Sequence, residues 1–271
     1  MGYLTQSPKG VYTVEWTKTN TLTSTLNEKG RGLELSELCV FNGKVYTVDD
    51  RTGLVYKIVD DKDVVPWVIL MDGPGLTRKG FKGEWMTVKD GELYVGGLGK
   101  EWTTKMGDFI NYHPLFVKVI NQLGAVRHMN WTSNYLKIRS IVGIHFPGYM
   151  IHEAVMWSDV RRRWYFLPRR MSVHKYDDMA DERRGTNVLI SCDEHFGNVK
   201  VVHVGTLDVT HGFSSFKFVP GTSDRVGVAL KSREVQGAIS TYIMVFEVET
   251  GKVLMGEKFV AHDKYEGIEF V

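Results

Sequence analysis

Cysteine is scarce in this chain, which has two, Cys39 and Cys192, far apart in the sequence. Each lies in an apolar, strand-like run, so we interpret both as small core residues, and a disulfide is allowed but not required. Their spacing matches no cysteine-based metal motif. The sequence therefore excludes metal sites built on cysteine pairs.

Long apolar runs and an excess of one charge are also lacking. No apolar stretch approaches the ~20 residues that span a bilayer, and no signal peptide opens the chain, so we predict no membrane contact by this segment. With 34 basic and 32 acidic residues, the formal charge of +2 gives no argument for binding nucleic acid. Hydrophobic content of 43% predicts a folded globular protein, and 271 residues can form one large all-β domain or two smaller ones. The repeat described below favours a single domain over 1–271.

Helical periodicity is scarce as well. The best candidates for a turn or two of helix or a long loop are 108–123 and 174–184, and both fall between strand-rich units. Short strands separated by turn residues dominate instead. The clearest is a hairpin over 38–48 that turns at Asn42-Gly43, the strongest two-residue hairpin signal.

Similar strand units recur along the chain, each opening on an acid or a hydroxyl. These opening residues are spaced by 47, 69, 61 and 52 positions, and they are Glu37, Glu84, Glu153, Ser214 and Glu266. Periods of that order with several short strands are typical of propeller blades. The sequence predicts an all-β, five-bladed β-propeller, with an irregular β-sandwich as the alternative.

The repeat brings oxygen ligands together. In a propeller the innermost strands line a central channel, so equivalent positions converge on one axis. Several carboxylates there repel one another, and a hard divalent cation relieves that repulsion. Oxygen ligands without His or Cys favour Ca²⁺ or Mg²⁺, and a wide site on rigid strands favours Ca²⁺.

Charged residues also follow the second strands of three units. Asp50, Lys100 and Arg169 lie in the stretches 49–51, 99–102 and 167–170. An acid beside a metal can orient or deprotonate water, and Lys and Arg can bind anionic oxygens. This combination suits the attack of water on a phosphate. Arg169→Ala is expected to lose activity with little loss of fold.

Several long motifs resemble those of the calcium-activated nucleotidases, the soluble apyrase family. The motifs are 30–38, 48–53, 95–102, 147–153, 163–170, 210–218 and 264–270. The resemblance covers nearly the whole chain. It implies a five-bladed propeller with one central Ca²⁺ that hydrolyses nucleoside di- and triphosphates such as UDP, GDP, ADP and ATP.

The resemblance also implies roles for individual residues. The expected calcium ligands are Ser36, Glu84, Glu153, Ser214 and Glu266, with Glu37 adjacent. The expected phosphate site comprises Asp50, Lys100, Arg169 and Asp159. Relatives carry an upstream acidic strand that we expect to be absent here, which would affect ring closure and activity.

Two rival functions use the same fold. One is a non-catalytic calcium-binding propeller that docks a partner, and the other is a lactonase-like propeller acting on an ester. The resemblance further predicts a secreted protein or one in the lumen of the endoplasmic reticulum or Golgi. It is compatible with a homodimer.

Overall fold

The computed structural model describes residues 1–26, 30 and 33–271, so Arg31 and Gly32 of the motif at 30–38 lie outside the described residues. The prediction of an all-β fold is confirmed, and the strands form a β-propeller arrangement. Both cysteines are buried and unpaired, as predicted. In the part of the chain that the structure describes, no helix is long and apolar enough to cross a membrane.

The chain begins with a hairpin and then forms its first four-stranded sheet. The hairpin pairs β1 (Gly2–Gln6) with β2 (Tyr12–Trp16). The first sheet runs in chain order through β3 (Leu35–Phe41), β4 (Lys44–Asp49), β5 (Leu54–Val59) and β6 (Asp63–Ile69). The predicted turn at Asn42-Gly43 joins β3 to β4, and both residues have positive φ as this turn requires.

The second sheet is interrupted by a small ribbon. Its elements in chain order are β7 (Trp85–Lys89), β8 (Glu92–Gly96), the ribbon strands β9 (Trp102–Thr103) and β10 (Phe109–Asn111), a 3₁₀ turn (His113–Leu115), β11 (Phe116–Ile120) and β12 (Val126–Asn130). The sheet order is β7-β8-β11-β12. The stretch 108–123, predicted as a turn or two of helix or a long loop, contains the 3₁₀ turn but also the strands β10 and β11.

The third and fourth sheets follow, each ordered as in the chain. Their elements are α1 (Thr132–Ile141), β13 (Tyr149–Ser158), β14 (Arg163–Ser172), α2 (Asp178–Asp181), β15 (Val188–Asp193), β16 (Lys200–His203), β17 (His211–Phe218), β18 (Val226–Val235), β19 (Ala238–Glu247) and β20 (Val253–Ala261). The turn α2 lies within the predicted stretch 174–184. Helix α1 was not predicted, because its apolar periodicity is weak.

The structure has four blades, so the prediction of five is wrong. Innermost strands β3, β7, β13 and β17 pack side by side around the channel. The predicted fifth unit, 265–271, lies between β3 and β17 but forms no strand ladder. Its backbone is held by single contacts: Glu37 N donates to Glu266 O at 2.9 Å, and Ile268 N donates to Ser215 Oγ at 3.1 Å. A blade needs neighbouring hydrogen-bonded strands, whereas this segment packs Ile268 and Phe270 into an apolar cluster shared with the β1–β2 hairpin and the fourth sheet.

The core is a ring of apolar clusters, each between neighbouring sheets. The cluster between the second and third sheets centres on Trp85, Trp131 and Trp164, with ring centroids 4.9 to 6.4 Å apart. A glycine makes this packing feasible: Gly96 lies under Trp85, and a Cβ there would approach its ring to 1.9 Å. Burial of such large rings fixes adjacent blades and hence the inner strands.

Candidate functional site

Three of the inner strands are irregular at the positions of the predicted ligands. Register shifts occur at Ser36 in β3, around Glu153 in β13 and at Ser214 in β17. A bulge adds a residue to one strand and re-aims its side chain, which is how β-structure often builds sites. Glu84 directly precedes β7, and Glu266 lies in the 265–271 segment.

Direct contacts link several of these predicted ligands. Ser36 Oγ lies 2.9 Å from Glu266 Oε2 and 3.5 Å from Glu84 Oε2. Ser214 Oγ donates to the carbonyl oxygen of Tyr265 at 3.1 Å, next to Glu266. The structure therefore brings Ser36, Glu84 and Glu266 together and places Ser214 beside them.

Three basic side chains neutralise much of the acidic cluster. Lys82 pairs with Glu84 at 2.8 Å and also with Asp50. Arg169 pairs with Glu153 at 2.5 Å and lies 3.8 Å from Glu266. Both bases are thus held by acids that sequence reasoning assigned to the metal or phosphate site.

The third base, Lys264, contacts two acids of the cluster. Lys264 pairs with Glu266 and lies 3.5 Å from Glu234 Oε1. Glu234 also pairs with Arg169, so it connects the two bases.

Sequence analysis missed Lys82, Lys264 and Glu234. The two lysines share a signal: each stands two residues before a predicted ligand, in Lys82-Gly83-Glu84 and Lys264-Tyr265-Glu266. In extended chain, residues i and i+2 point to the same side, so each lysine is placed to pair with its glutamate. Glu234 had no such signal, because it comes from β18 in another part of the sequence.

The cluster carries surplus negative charge. Five carboxylates (Asp50, Glu84, Glu153, Glu234, Glu266) and three bases (Lys82, Arg169, Lys264) give a formal charge of −2 when all are ionised. Burial, followed by repulsion from Glu153, Glu266 and Asp50, raises the pKa of Glu84 to about 8 even though Lys82 opposes this. The raised pKa therefore reflects burial first and the neighbouring carboxylates second.

The donor set fits a hard divalent cation. The axial groups offer carboxylate and hydroxyl oxygens with no His or Cys, and a dication would balance the charge of −2. With the side chains as they stand, no three acidic, His or Cys groups among residues 1–26, 30 and 33–271 form a metal-binding arrangement. The carboxylates face lysine and arginine instead.

Glu37 lies apart from the group of Ser36, Glu84 and Glu266, although it is the neighbour of Ser36 in the sequence. Its Oε1 accepts a hydrogen bond from Ser215 Oγ at 2.7 Å and lies 3.2 Å from Lys217 Nζ. The backbone at Glu37 has φ of +58°, which turns the side chain away from the other acids. Burial raises the pKa of this carboxyl to about 7, and Lys217 partly offsets the rise.

Asp50 offers an oxygen for a further contact. Its Oδ2 pairs with Lys82, while its Oδ1 is buried, accepts no hydrogen bond from the described residues and lies 3.7 Å from Arg51 Nε. Burial raises the pKa of Asp50, and Lys82 opposes that rise. A buried carboxylate with a raised pKa is a stronger base than an exposed one.

Lys100 makes its described contacts outside the acidic cluster. The loop that carries it runs beside β13, where His152 N donates to Leu98 O at 3.0 Å, one residue before Glu153. Its ammonium donates to the carbonyl oxygen of Glu101 at 3.0 Å and lies 4.5 Å from the ring centroid of Tyr176. Burial lowers the pKa of Lys100.

Asp159 is not brought to this site. It follows β13 in the turn to β14, six positions beyond Glu153, or about 20 Å at ~3.3 Å per residue. Its side chain is exposed and accepts a hydrogen bond from Trp157 Nε1 at 2.7 Å. The geometry gives it no part in the acidic cluster.

Comparison with known proteins agrees with the chemistry of this site. A family model described as Apyrase matches residues 1–271. The soluble calcium-activated nucleotidase 1 of Rattus norvegicus is 54% identical over 272 residues, covering 100% of this chain and 67% of the relative. The chain thus spans about two thirds of that relative's length.

Invertebrate relatives match to a similar degree. Apyrase apy-1 of Caenorhabditis elegans is 53% identical over 245 residues, covering 89% of this chain and 68% of the relative. The apyrase of Cimex lectularius is 51% identical over 262 residues, covering 96% of this chain and 71% of the relative. With the whole chain matched by the family model, this protein belongs to the apyrase family.

Proposed function

We propose that this chain is a Ca²⁺-dependent phosphohydrolase that releases inorganic phosphate from nucleoside di- and triphosphates, including UDP, GDP, ADP and ATP. Membership of the apyrase family supports the hydrolysis of nucleotide phosphates. The observation that carries the proposal is the buried acidic cluster, which has a formal charge of −2. Its carboxylates contact three bases that are able to bind phosphate oxygens.

Ca²⁺ would be held by Ser36, Glu84, Glu153, Ser214 and Glu266. When bound, it supplies positive charge that binds phosphate oxygens and offsets the repulsion among the carboxylates. Glu37 is left out of this set because it faces Lys217.

Arg169 would bind a phosphate. Its guanidinium contacts Glu153 and Glu234 in the cluster, and a phosphate can replace a carboxylate as a partner for its planar donors. Charge that develops on the transferred phosphoryl group would be stabilised by these donors. Lys100 would add a second cationic contact.

Asp50 is the base that would orient the attacking water. Its Oδ1 accepts no hydrogen bond from the described residues, and its raised pKa suits it to accept a proton from water. Lys82, bound to its other oxygen, fixes the carboxyl in place.

A cleft beside Asp50 would hold the nucleoside. It has a volume of about 960 Å³ and is lined by Arg51, Asp72, Trp102 and His113, among others. Trp102 Nε1 donates to Asp72 at 3.0 Å, which fixes the indole. We expect Trp102→Ala to raise KM for nucleotides while leaving hydrolysis of inorganic triphosphate unchanged; equal effects on both would remove the cleft from the proposal.

The decisive experiment measures phosphate release from UDP, GDP, ADP and ATP with Ca²⁺, with Mg²⁺ and with chelator. We expect turnover with Ca²⁺ alone, lost in Glu84→Gln and Glu153→Gln but kept in the half-buried control Glu92→Gln, which pairs with Arg127. Ca²⁺-dependent stabilisation without turnover would instead support the non-catalytic module. Turnover of lactones in preference to nucleotides would support the lactonase-like alternative.

The remaining predictions stay predictions. A secretory location and a homodimer rest on the family resemblance alone. Asp159, placed outside the cluster, has no role in this proposal.

A further inference from the structure

Helix α1 places one buried charged side chain against the loop that carries Lys100. Arg139, in the last turn of the helix, donates two parallel hydrogen bonds to Glu101, at 2.8 Å to Oε2 and 2.7 Å to Oε1. The two side chains are 4% and 3% exposed. Bidentate pairs of this kind fix both direction and distance.

Lys100 is unlike the other bases near the site. Lys82, Arg169 and Lys264 each pair with carboxylates, whereas across the described residues Lys100 has no acid within ion-pair distance. Its ammonium instead donates to a backbone carbonyl and to Thr103 Oγ1 at 3.3 Å. Lys100 is buried, and an anion that reaches its ammonium would not have to break an ion pair.

The nearest competitor for that ammonium is the next residue in the chain. Glu101 exerts the largest favourable electrostatic effect on Lys100, ahead of Asp181 and Asp178. Its carboxylate oxygens are both taken by Arg139, so they do not capture the lysine. The Arg139–Glu101 pair thus keeps the Glu101 carboxylate from pairing with Lys100.

We propose that Arg139 is a positioning residue that keeps Lys100 available for a substrate phosphate by holding the Glu101 carboxylate. This inference rests on the proposed function, and it concerns residues that contact none of the axial carboxylates. Without Arg139, Glu101 turns to Lys100, and phosphate must then compete with an internal carboxylate.

The proposal predicts an unusual pattern of double variants. Arg139→Gln should raise KM for ADP by about tenfold with a smaller change in kcat, because a contact of about 1.4 kcal/mol is lost on binding. Glu101→Gln alone should change KM little. The double variant R139Q/E101Q should recover most of the lost affinity, since residue 101 then has no carboxylate to capture Lys100.

Two further variants separate positioning from stability. In a Lys100→Met background, Arg139→Gln should have no further effect on KM. Arg139→Lys keeps the charge but loses the bidentate geometry, and it should fall between wild type and Arg139→Gln. Arg127→Gln, in an exposed pair with Glu92, is the matched control and should leave KM unchanged.

A second measurement does not depend on turnover, so it still tests the role of Arg139 if the protein hydrolyses no nucleotide or if a variant folds poorly. Peptide mass spectrometry would follow acylation of Lys100 by an amine-directed reagent, with thermal unfolding run in parallel. Arg139→Gln should slow acylation severalfold, and R139Q/E101Q should restore it.

The outcomes are distinct. If wild type hydrolyses no nucleotide, the proposed function fails, and the acylation rates alone decide the positioning role. If the double variant is as impaired as Arg139→Gln in both KM and acylation, the pair serves only the fold and the inference is overturned.

Discussion

The ammonium of Lys217 lies 3.2 Å from the Glu37 carboxylate inside the central channel. The same ammonium is 3.5 Å from Met86 O and 3.6 Å from Met156 Sδ, so one side chain of β17 reaches β3, β7 and β13. This single buried cation therefore links all four innermost strands, since it comes from β17 and contacts the other three.

Removal of Lys217 is expected to destabilise the propeller. Lys217→Met leaves Glu37 buried without its partner, and breaking one side of a buried ion pair costs about 3–5 kcal/mol. The double variant K217M/E37Q should recover a large part of that loss. Urea unfolding of the four proteins of this cycle measures the coupling, and additive losses would show that the pair is not a unit.

Arg169 is the second test, and here the structure changes the expectation from sequence. Arg169→Ala was expected to spare the fold, but the side chain is buried among Glu153, Glu234 and Glu266. Its loss leaves these acids to repel one another. We expect Arg169→Met to lower the unfolding temperature strongly in chelator and much less in saturating Ca²⁺, with activity lost in both. Equal destabilisation with and without Ca²⁺ would argue against a cation site here.

The sequence predicted the all-β fold, the β3–β4 hairpin and most of the acids of the cluster, because these depend on period-two alternation and on residues that recur in each unit. It failed where distant segments meet. Lys217 and Glu37 are 180 positions apart, and nothing local marks either as a partner of the other. The count of blades also failed, since strand-like composition at 265–271 does not supply the neighbouring strands that make a sheet.

Lys82 competes with a metal for the acids that it holds. It pairs with both Asp50 and Glu84, so Lys82→Met makes the formal charge of the cluster more negative by one. We expect Ca²⁺ to bind roughly tenfold more tightly by isothermal titration calorimetry, while stability in chelator falls. Lys89→Met, at the turn between β7 and β8, is the control and should leave the affinity unchanged. Weaker Ca²⁺ binding in Lys82→Met would mean that the lysine organises the site.

Gly96 tests the packing that positions the second blade. The ring of Trp85 lies over it across β7 and β8, and a Cβ at this position would come within 1.9 Å of the ring. Gly96→Ala should therefore cost at least ~1–3 kcal/mol, the usual range for overpacking. Gly256→Ala, in β20 with no atom within 4 Å of a new Cβ, should change stability by less than about 0.5 kcal/mol. Chemical unfolding of both variants compares them directly, and equal small effects would show that Trp85 moves aside easily.

Lys118 on β11 predicts a pH dependence of stability away from the acidic cluster. Its ammonium donates to Gly73 O and lies 3.1 Å from His128 Nδ1, and burial lowers its pKa to about 8 from an ordinary value of 10.5. Between these two values the unfolded chain binds more protons at this group than the native protein, so the contribution of Lys118 to stability rises with pH across that window. Lys118→Met should therefore flatten the rise in unfolding temperature from pH 8 to pH 10, whereas the exposed control Lys44→Met should not. An unchanged slope in Lys118→Met would show that the buried amine keeps its proton.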